Sequence, residues 1–284
     1  MSSRMGTSVS FGSMSEVWRL LLDSPAAGAW NMAVDEVLLD GVAAGWAPPT
    51  LRFYGWEPPC LSLGYFQSFS VVNLDGCRRL GADVVRRPTG GRAILHDREL
   101  TYSIALPAPT LGGDGVLPSY HRLSLALQDG LHRLGVPATM APESPAGGVV
   151  SGPVCFDRPS AYEILLQGRK LVGSAQVRRR GGLLQHGSIV IEPRPANLLA
   201  CLHVADENQR IESGMAGLAE ARVSDPAQVA GAVADAFAAR FGVTLVESGL
   251  RPDELAAAQA LARSKYQSSG WTQGLTATNT TRTR

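Results

Sequence analysis

Lysine is almost missing from this sequence. Of 26 basic residues in 284, only Lys170 and Lys265 are lysine, and the rest are arginine. A lysine kept against that bias offers a compact ammonium whose pKa can shift, which arginine does not. An excess of either charge is missing too. A formal net charge of +1 leaves none of the basic surplus with which nucleic-acid binders meet a phosphate backbone. No apolar run reaches the ~18 residues a membrane span requires. The polar, Gly/Ser-rich stretch from Met1 to Ser15 has no hydrophobic core that would make it a secretory signal. The expected setting is therefore a reducing cytoplasm, with no membrane and no nucleic acid as partner. Cysteine is scarce: Cys60, Cys77, Cys155 and Cys201 form no CxxC pair, which excludes a zinc ribbon and a disulfide framework. There is no GxxxxGK[ST] phosphate loop and no metal-ligand spacing.

What is present is ordinary for a globular chain, with 45% hydrophobic and 18% charged residues. Apolar spacing predicts strands at Trp18–Leu22, Leu51–Tyr54, Cys60–Gly64, Asp83–Arg86, Arg92–Leu95 and Leu100–Leu106. Further strands follow at Ala161–Leu166, Lys170–Ala175, Leu183–Ile191 and Val243–Glu247. An amphipathic helix is predicted over Ala29–Gly41, and others over Asn73–Leu80, Ser119–Leu134, Pro195–Leu202, Pro226–Phe241 and Pro252–Tyr266. The stretch 137–160 reads as a long structureless loop, a feature more often functional than idle. Strands and helices without regular βαβ alternation indicate one α+β domain over 16–271, between disordered segments 1–15 and 272–284.

Chemistry concentrates in a few places. In Arg86-Arg87-Pro88-Thr89-Gly90-Gly91-Arg92-Ala93-Ile94-Leu95-His96, two glycines free the main chain for positive φ and leave room for a ligand near its N–H groups. Three arginines beside them can meet a carboxylate or phosphate. Cys155 lies in the Gly/Pro-rich Gly152-Pro153-Val154-Cys155-Phe156-Asp157-Arg158-Pro159-Ser160, where a nearby arginine favours the nucleophilic thiolate. The other three cysteines sit in strand or helix contexts and read as core. In Gly168-Arg169-Lys170-Leu171-Val172-Gly173-Ser174-Ala175-Gln176, a turn leads through Lys170 to side chains small enough to leave space above a sheet. Leu184-Gln185-His186-Gly187-Ser188 breaks an apolar strand with polar groups. Taken singly, the lysine reads as a hairpin residue and His186 as a satisfied structural histidine.

These segments, with Trp30-Asn31-Met32-Ala33-Val34-Asp35-Glu36 and Glu99-Leu100-Thr101-Tyr102-Ser103, stand in an ordered series. From Trp18 to Trp271 the chain resembles the lipoate–protein ligase A family of the biotin/lipoyl ligase superfamily. The resemblance implies a mixed sheet like that of class II aminoacyl-tRNA synthetases and biotinyl ligases. Helices flank it, a smaller second sheet accompanies it, and both surround an acyl tunnel. It also implies chemistry on octanoyl or lipoyl groups bound to a carrier lysine. Cys155-Phe156-Asp157-Arg158-Pro159-Ser160 resembles the motif of the octanoyltransferase branch, and the residues after Val246 are too few for a ligase accessory domain. That branch implies octanoyl-acyl carrier protein as donor, a thioester on Cys155, and oxyanion or proton-transfer duty for Lys170. Arg87, Gly90, Gly91, His96, Gly173, Ser174 and His186 would shape the substrate pocket. The acceptor would be the glycine-cleavage H protein or an E2 lipoyl domain, and no cofactor would be needed. The competing readings are an ATP-dependent lipoate ligase with its accessory domain on a separate chain, and an amidotransferase between carrier proteins. A biotin ligase fits less well, because its loop pattern is Gly-Arg-Gly rather than Thr-Gly-Gly-Arg.

Overall fold

The computed structural model describes residues 15–111, 115–143, 161–203 and 213–274. In chain order the elements are β1 (Val17–Leu22), α1 (Gly28–Ala43), β2 (Thr50–Tyr54), β3 (Cys60–Leu63), α2 (Leu74–Arg79) and β4 (Asp83–Arg86). Then come β5 (Ile94–His96), β6 (Glu99–Pro107), α3 (Val116–Arg133), β7 (Ala138–Met140), β8 (Ile164–Leu166), β9 (Arg169–Arg179) and β10 (Gly182–Val190). The series ends with α4 (Pro195–Ala200), α5 (Pro226–Phe241), β11 (Thr244–Glu247), α6 (Pro252–Leu261), a π-helical turn (Ala262–Tyr266) and α7 (Ser269–Gln273).

Local chemistry places the central hairpins. Gln167–Gly168 and Arg180–Gly181 take φ of 52° and 77°, and of 51° and 87°. Two successive left-handed residues are what a tight hairpin turn demands, so β8–β9 and β9–β10 pair antiparallel. The large sheet has the order β11-β1-β2-β6-β10-β9-β8-β7, and a small sheet has the order β4-β3-β5. Pairing is parallel for β1 with both β11 and β2, and antiparallel from β2 through β6, β10, β9 and β8 to β7. At the ends of α5, Asp225 accepts from the Ala227 N–H and Gly242 takes φ 65°, the cap and stop the sequence signals.

The two faces of the large sheet bury different cores. One packs Trp18, Leu51, Phe53, Tyr102 and Ile104 against α3 and α5. The other packs Leu21, Tyr54, Ala105 and Leu184 under α1, whose far side is covered by Ala258 of α6 and Ala262 of the π-helical turn. Covered on both sides, α1 is buried from Asn31 through Leu39, so it is not the one-faced amphipathic helix its spacing predicts. The small sheet has its own core of Leu61, Leu63, Ile94, Val190 and Leu198.

Several boundaries differ from those read in the sequence. The strand predicted at Arg92–Leu95 begins two residues later, because the loop continues through Gly91 at φ 90°. The stretch predicted to be structureless holds β7, which pairs with β8, while 144–160 lie outside the described residues. The helix predicted over Pro252–Tyr266 shifts to π-helical hydrogen bonding at Ala262, which brings both Lys265 and Tyr266 onto Glu36. The frayed tail predicted from Thr272 starts inside α7, held there by Arg86, which donates to the Thr272 carbonyl at 2.9 Å.

Candidate active site

Strand alternation turns Thr101 and Ser103 of β6, Gly173 and Ala175 of β9, and His186 and Ser188 of β10 to one face of the large sheet. Above that face, between α1 and the small sheet, lies a small, largely apolar pocket. Its wall contains Arg87, Gly91, His96, Gly173, Ser174 and His186, brought together from three separate stretches of sequence, with Met32, Tyr54 and Trp56 added. Gly90 stands just behind the wall, its carbonyl accepting from Arg87 Nη2 at 2.8 Å. Lys170 lies on the same strand as Gly173 but is not part of the wall. Its Nζ is 2.6 Å from Glu163 Oε1, and their side chains are only 1% and 3% exposed. Cys155 lies outside the described residues.

The arginines are engaged by the loop itself. Arg87 donates to the carbonyls of Ser62, Gly90 and Arg92 at 3.0, 2.8 and 2.8 Å. Arg86 donates to those of Gly64, Tyr65 and Gln67 at 2.8, 3.1 and 2.6 Å. Planar forks suit this spread of acceptors, so both guanidiniums clamp main chain where the sequence suggested an anion receptor. Gly64 completes the clamp by letting β3 run against the loop: a Cβ there would lie 1.9 Å from the Gly91 carbonyl oxygen. Gly64→Ala is therefore expected to displace the loop at a cost of about 1–3 kcal/mol. It should raise KM for the substrate at least tenfold, measured by steady-state turnover beside a thermal melt. An unchanged KM would show that the loop does not shape the site.

A buried polar chain, absent from the sequence reading, ties α1 to this loop. His186 Nδ1 is 2.9 Å from Asp35 Oδ2, and His186 Nε2 is 2.7 Å from Thr89 Oγ1. Asp35 also accepts from Arg52 Nη1 at 2.9 Å, from the Ser103 hydroxyl at 2.8 Å and from the Tyr54 hydroxyl at 2.8 Å. Burial works to raise the pKa of Asp35, but the His186 hydrogen bond and the Arg52 charge outweigh it and hold the carboxyl below its usual range. An ionised Asp35 only accepts, so the proton of this bond sits on Nδ1 of His186. The available sequence signal was a carboxylate inside the apolar run Met32–Leu39, which has to find a partner when buried.

The titration of Asp35 has a sign that can be checked. A carboxyl whose pKa is depressed in the folded state stabilises that state above its unfolded pKa of ~3.9 and loses the contribution as pH falls through its lower folded value. Unfolding free energy of the native chain is expected to fall more steeply below that point than in Asp35→Asn, by denaturant titration across pH. Parallel curves would mean that Asp35 carries no depressed pKa.

His96 is held differently. Ser62 Oγ accepts from Arg87 Nη1 at 3.1 Å and lies 2.9 Å from His96 Nε2. Burial lowers the pKa of His96, opposed by Glu99, and the neutral ring stacks on Trp56 at 4.0 Å between centroids. The wall thus offers aromatic and apolar surface with few polar atoms to spare. Cys60, Cys77 and Cys201 are buried. Burial pushes the Cys60 thiol far above its ordinary pKa, and a hydrogen bond with Cys77 raises that of Cys201.

A large mixed sheet and a small sheet enclosing an apolar pocket behind a clamped Gly-Gly loop define a protein built to hold a small, largely apolar ligand. The chain belongs to the lipoyl protein ligase A/B catalytic domain family, whose model matches residues 27–240. It is similar to Octanoyltransferase LipM of Kyrpidia tusciae, with 41% identity over 90% of this chain and 98% of that protein. It is also similar to the solved structure of protein Ta0514 of Thermoplasma acidophilum with bound lipoic acid. The identity there is 26%, with a TM-score of 0.77 over 91% of this chain and 99% of the other. A bipartite lipoate protein ligase from the same organism, studied with its E2 lipoyl domain, aligns at 25% identity with a TM-score of 0.75. That match covers 93% of this chain and 98% of the other. Among the described residues, no helix is long and apolar enough to cross a membrane.

Proposed function

We propose that this protein is an octanoyltransferase of lipoate biosynthesis. It takes octanoyl from octanoyl-acyl carrier protein through a thioester on Cys155 and delivers it to a lysine of a lipoyl-carrier protein in the cytoplasm. The observation that carries the reading is the 41% identity to an octanoyltransferase over nearly the full length of both proteins. In the first half-reaction the Cys155 thiolate attacks the donor thioester carbonyl, the C–S bond to phosphopantetheine breaks, and that sulfur leaves as the thiolate. One thioester replaces another, so the exchange is nearly balanced and needs no nucleotide or other cofactor. In the second, the carrier lysine amine attacks the enzyme thioester, the C–S bond breaks, the amine's proton passes to the departing Cys155 sulfur, and a stable amide forms. Splitting the transfer in this way is covalent catalysis.

The chain's other residues are assigned roles that fit this scheme. Lys170 supplies the positive charge toward which the oxyanion develops, from its place three residues before Gly173. Arg87, Gly90 and Gly91 keep the loop close over the acyl group, while His96, Gly173, Ser174 and His186 form the walls beside it. The glycine-cleavage H protein is the acceptor we favour, with E2 lipoyl domains second. The test is transfer from octanoyl-acyl carrier protein to H protein by purified enzyme without ATP. Transfer is the expected result. AMP release that depends on lipoate, with no ATP-free transfer, would make the protein a ligase. Movement of octanoyl only from one lipoyl-carrier protein to another would make it an amidotransferase.

A further inference from the structure

Arg86 ends β4 at the entry to the Gly-Gly loop and is fully buried. Besides the carbonyls of Gly64, Tyr65 and Gln67, its guanidinium reaches the C-terminal segment. Nη2 donates to the Thr272 carbonyl at 2.9 Å, and Nε donates to that of Trp271 at 3.3 Å. The tie is returned, because Trp271 Nε1 donates to the Arg86 carbonyl at 2.9 Å. The Trp271 ring meets Tyr65 at 5.7 Å and Tyr266 at 5.9 Å between centroids, and Lys265 Nζ lies over it at 3.9 Å.

Lys265 leads back to α1. Its Nζ is 2.6 Å from Glu36 Oε2, and Glu36 accepts from the Tyr266 hydroxyl and from Arg179 Nη1 as well. Burial works against the Glu36 charge, but these hydrogen bonds outweigh it and hold the carboxyl below its usual range. The π-helical turn Ala262–Tyr266 carries both Lys265 and Tyr266 to this one carboxylate, and such turns recur at functional sites. Glu36 follows Asp35, which holds the same loop through His186 and Thr89. The Gly-Gly loop is therefore tied to two successive residues of α1 by separate routes. One route runs through His186 in the pocket wall. The other runs through Lys265 and Trp271, neither of which lines the pocket.

We propose that Trp271 and Lys265 are positioning residues that latch the Gly-Gly loop in the pose that shapes the pocket, and so set how tightly substrate is held. A single tether at Thr89 leaves the loop able to pivot about that point. The second, at Arg86, fixes its orientation. The Lys265 cation closes the latch, because it faces the Glu36 carboxylate and the Trp271 ring together, and the face of an indole attracts a cation. The proposal rests on the substrate site described above and extends its support to a segment that does not touch substrate.

The experiment compares the native protein with Trp271→Ala, Lys265→Met and Lys265→Arg. Lys265→Met leaves Glu36 bonded to Tyr266 and Arg179, so it strands no buried carboxylate, and circular dichroism shows whether each variant is folded. Two readouts are taken. One is amide hydrogen exchange in the loop peptide spanning residues 86–92, and the other is KM and kcat for octanoyl-acyl carrier protein. In Trp271→Ala and Lys265→Met the loop should exchange faster. KM should rise about tenfold, the scale of one lost hydrogen bond to a charged group, while kcat is nearly kept. Lys265→Arg should restore both readouts, because a guanidinium also pairs with a carboxylate and stacks on an aromatic face. A packing defect alone would lower the melting temperature without raising KM. A folded Lys265→Met or Trp271→Ala protein with native loop exchange, or with native KM, would overturn the proposal. If the native protein takes no acyl group from this donor, it is the transferase reading that fails. The latch is then judged by loop exchange alone: faster exchange in the variants supports it, and native exchange refutes it.

Discussion

Cys155→Ala is expected to lose octanoyl transfer by roughly 10⁴-fold or more, the scale on which removing a covalent nucleophile acts. None of the three described cysteines lines the pocket. Cys60, Cys77 and Cys201 are buried, and the Cys60 thiol is pushed far from the thiolate that attacks carbonyls. Cys155 instead follows Gly152 and Pro153 and has Asp157 and Arg158 close behind it. Cys155→Ser should keep the fold and form at most a slow oxyester, since a hydroxyl lacks the thiol's access to an anionic nucleophile near neutral pH. The readout is the rate of octanoylation of H protein, with a melting curve for each variant. Native-like transfer by a folded Cys155→Ala protein would remove the thioester from the mechanism.

The second large effect is expected at Lys170. Its Nζ lies 2.6 Å from Glu163 with both side chains nearly unexposed, an arrangement whose desolvation is expensive unless the charges have work beyond stability. Lys170→Met removes the cation facing a buried carboxylate and should cost about 3–5 kcal/mol in unfolding free energy. Lys170→Arg separates that cost from catalysis. It keeps the charge but replaces a compact donor with a planar fork. Turnover should fall about 10²–10³-fold, as when an oxyanion donor is lost, while most of the stability remains. Stopped-flow acylation together with denaturant unfolding distinguishes the two effects. Near-normal turnover in a stable Lys170→Arg would leave Lys170 as the structural partner of Glu163.

Motif order in the sequence was enough to assemble most of this cavity, because its walls come from short contiguous segments. Arg87 and Gly91 share one loop, and Gly173 and Ser174 share one strand. What could not be read was everything that depends on partners distant in the chain. Asp35 meets Arg52, Ser103 and His186 only after β2, β6 and β10 have been laid side by side under α1. The arginines of the Gly-Gly loop looked like anion ligands because a sequence shows donors but not the carbonyls curled around them. The exterior of α1 was misread for a related reason: periodicity reports which residues are apolar, not that α6 will cover the second face. The π-helical turn at Ala262–Tyr266 left no compositional mark, yet it carries Lys265 and Tyr266 to Glu36, next to Asp35 in the chain.

The proposed reaction passes an acyl group through Cys155 without a nucleotide. Intact-protein mass spectrometry after incubation with octanoyl-acyl carrier protein, in the absence of ATP, tests it most directly. A gain of one octanoyl group is expected, absent in Cys155→Ala and discharged when H protein is added. A native protein that stays at its unmodified mass, and acquires activity only with ATP and free lipoate, would contradict it.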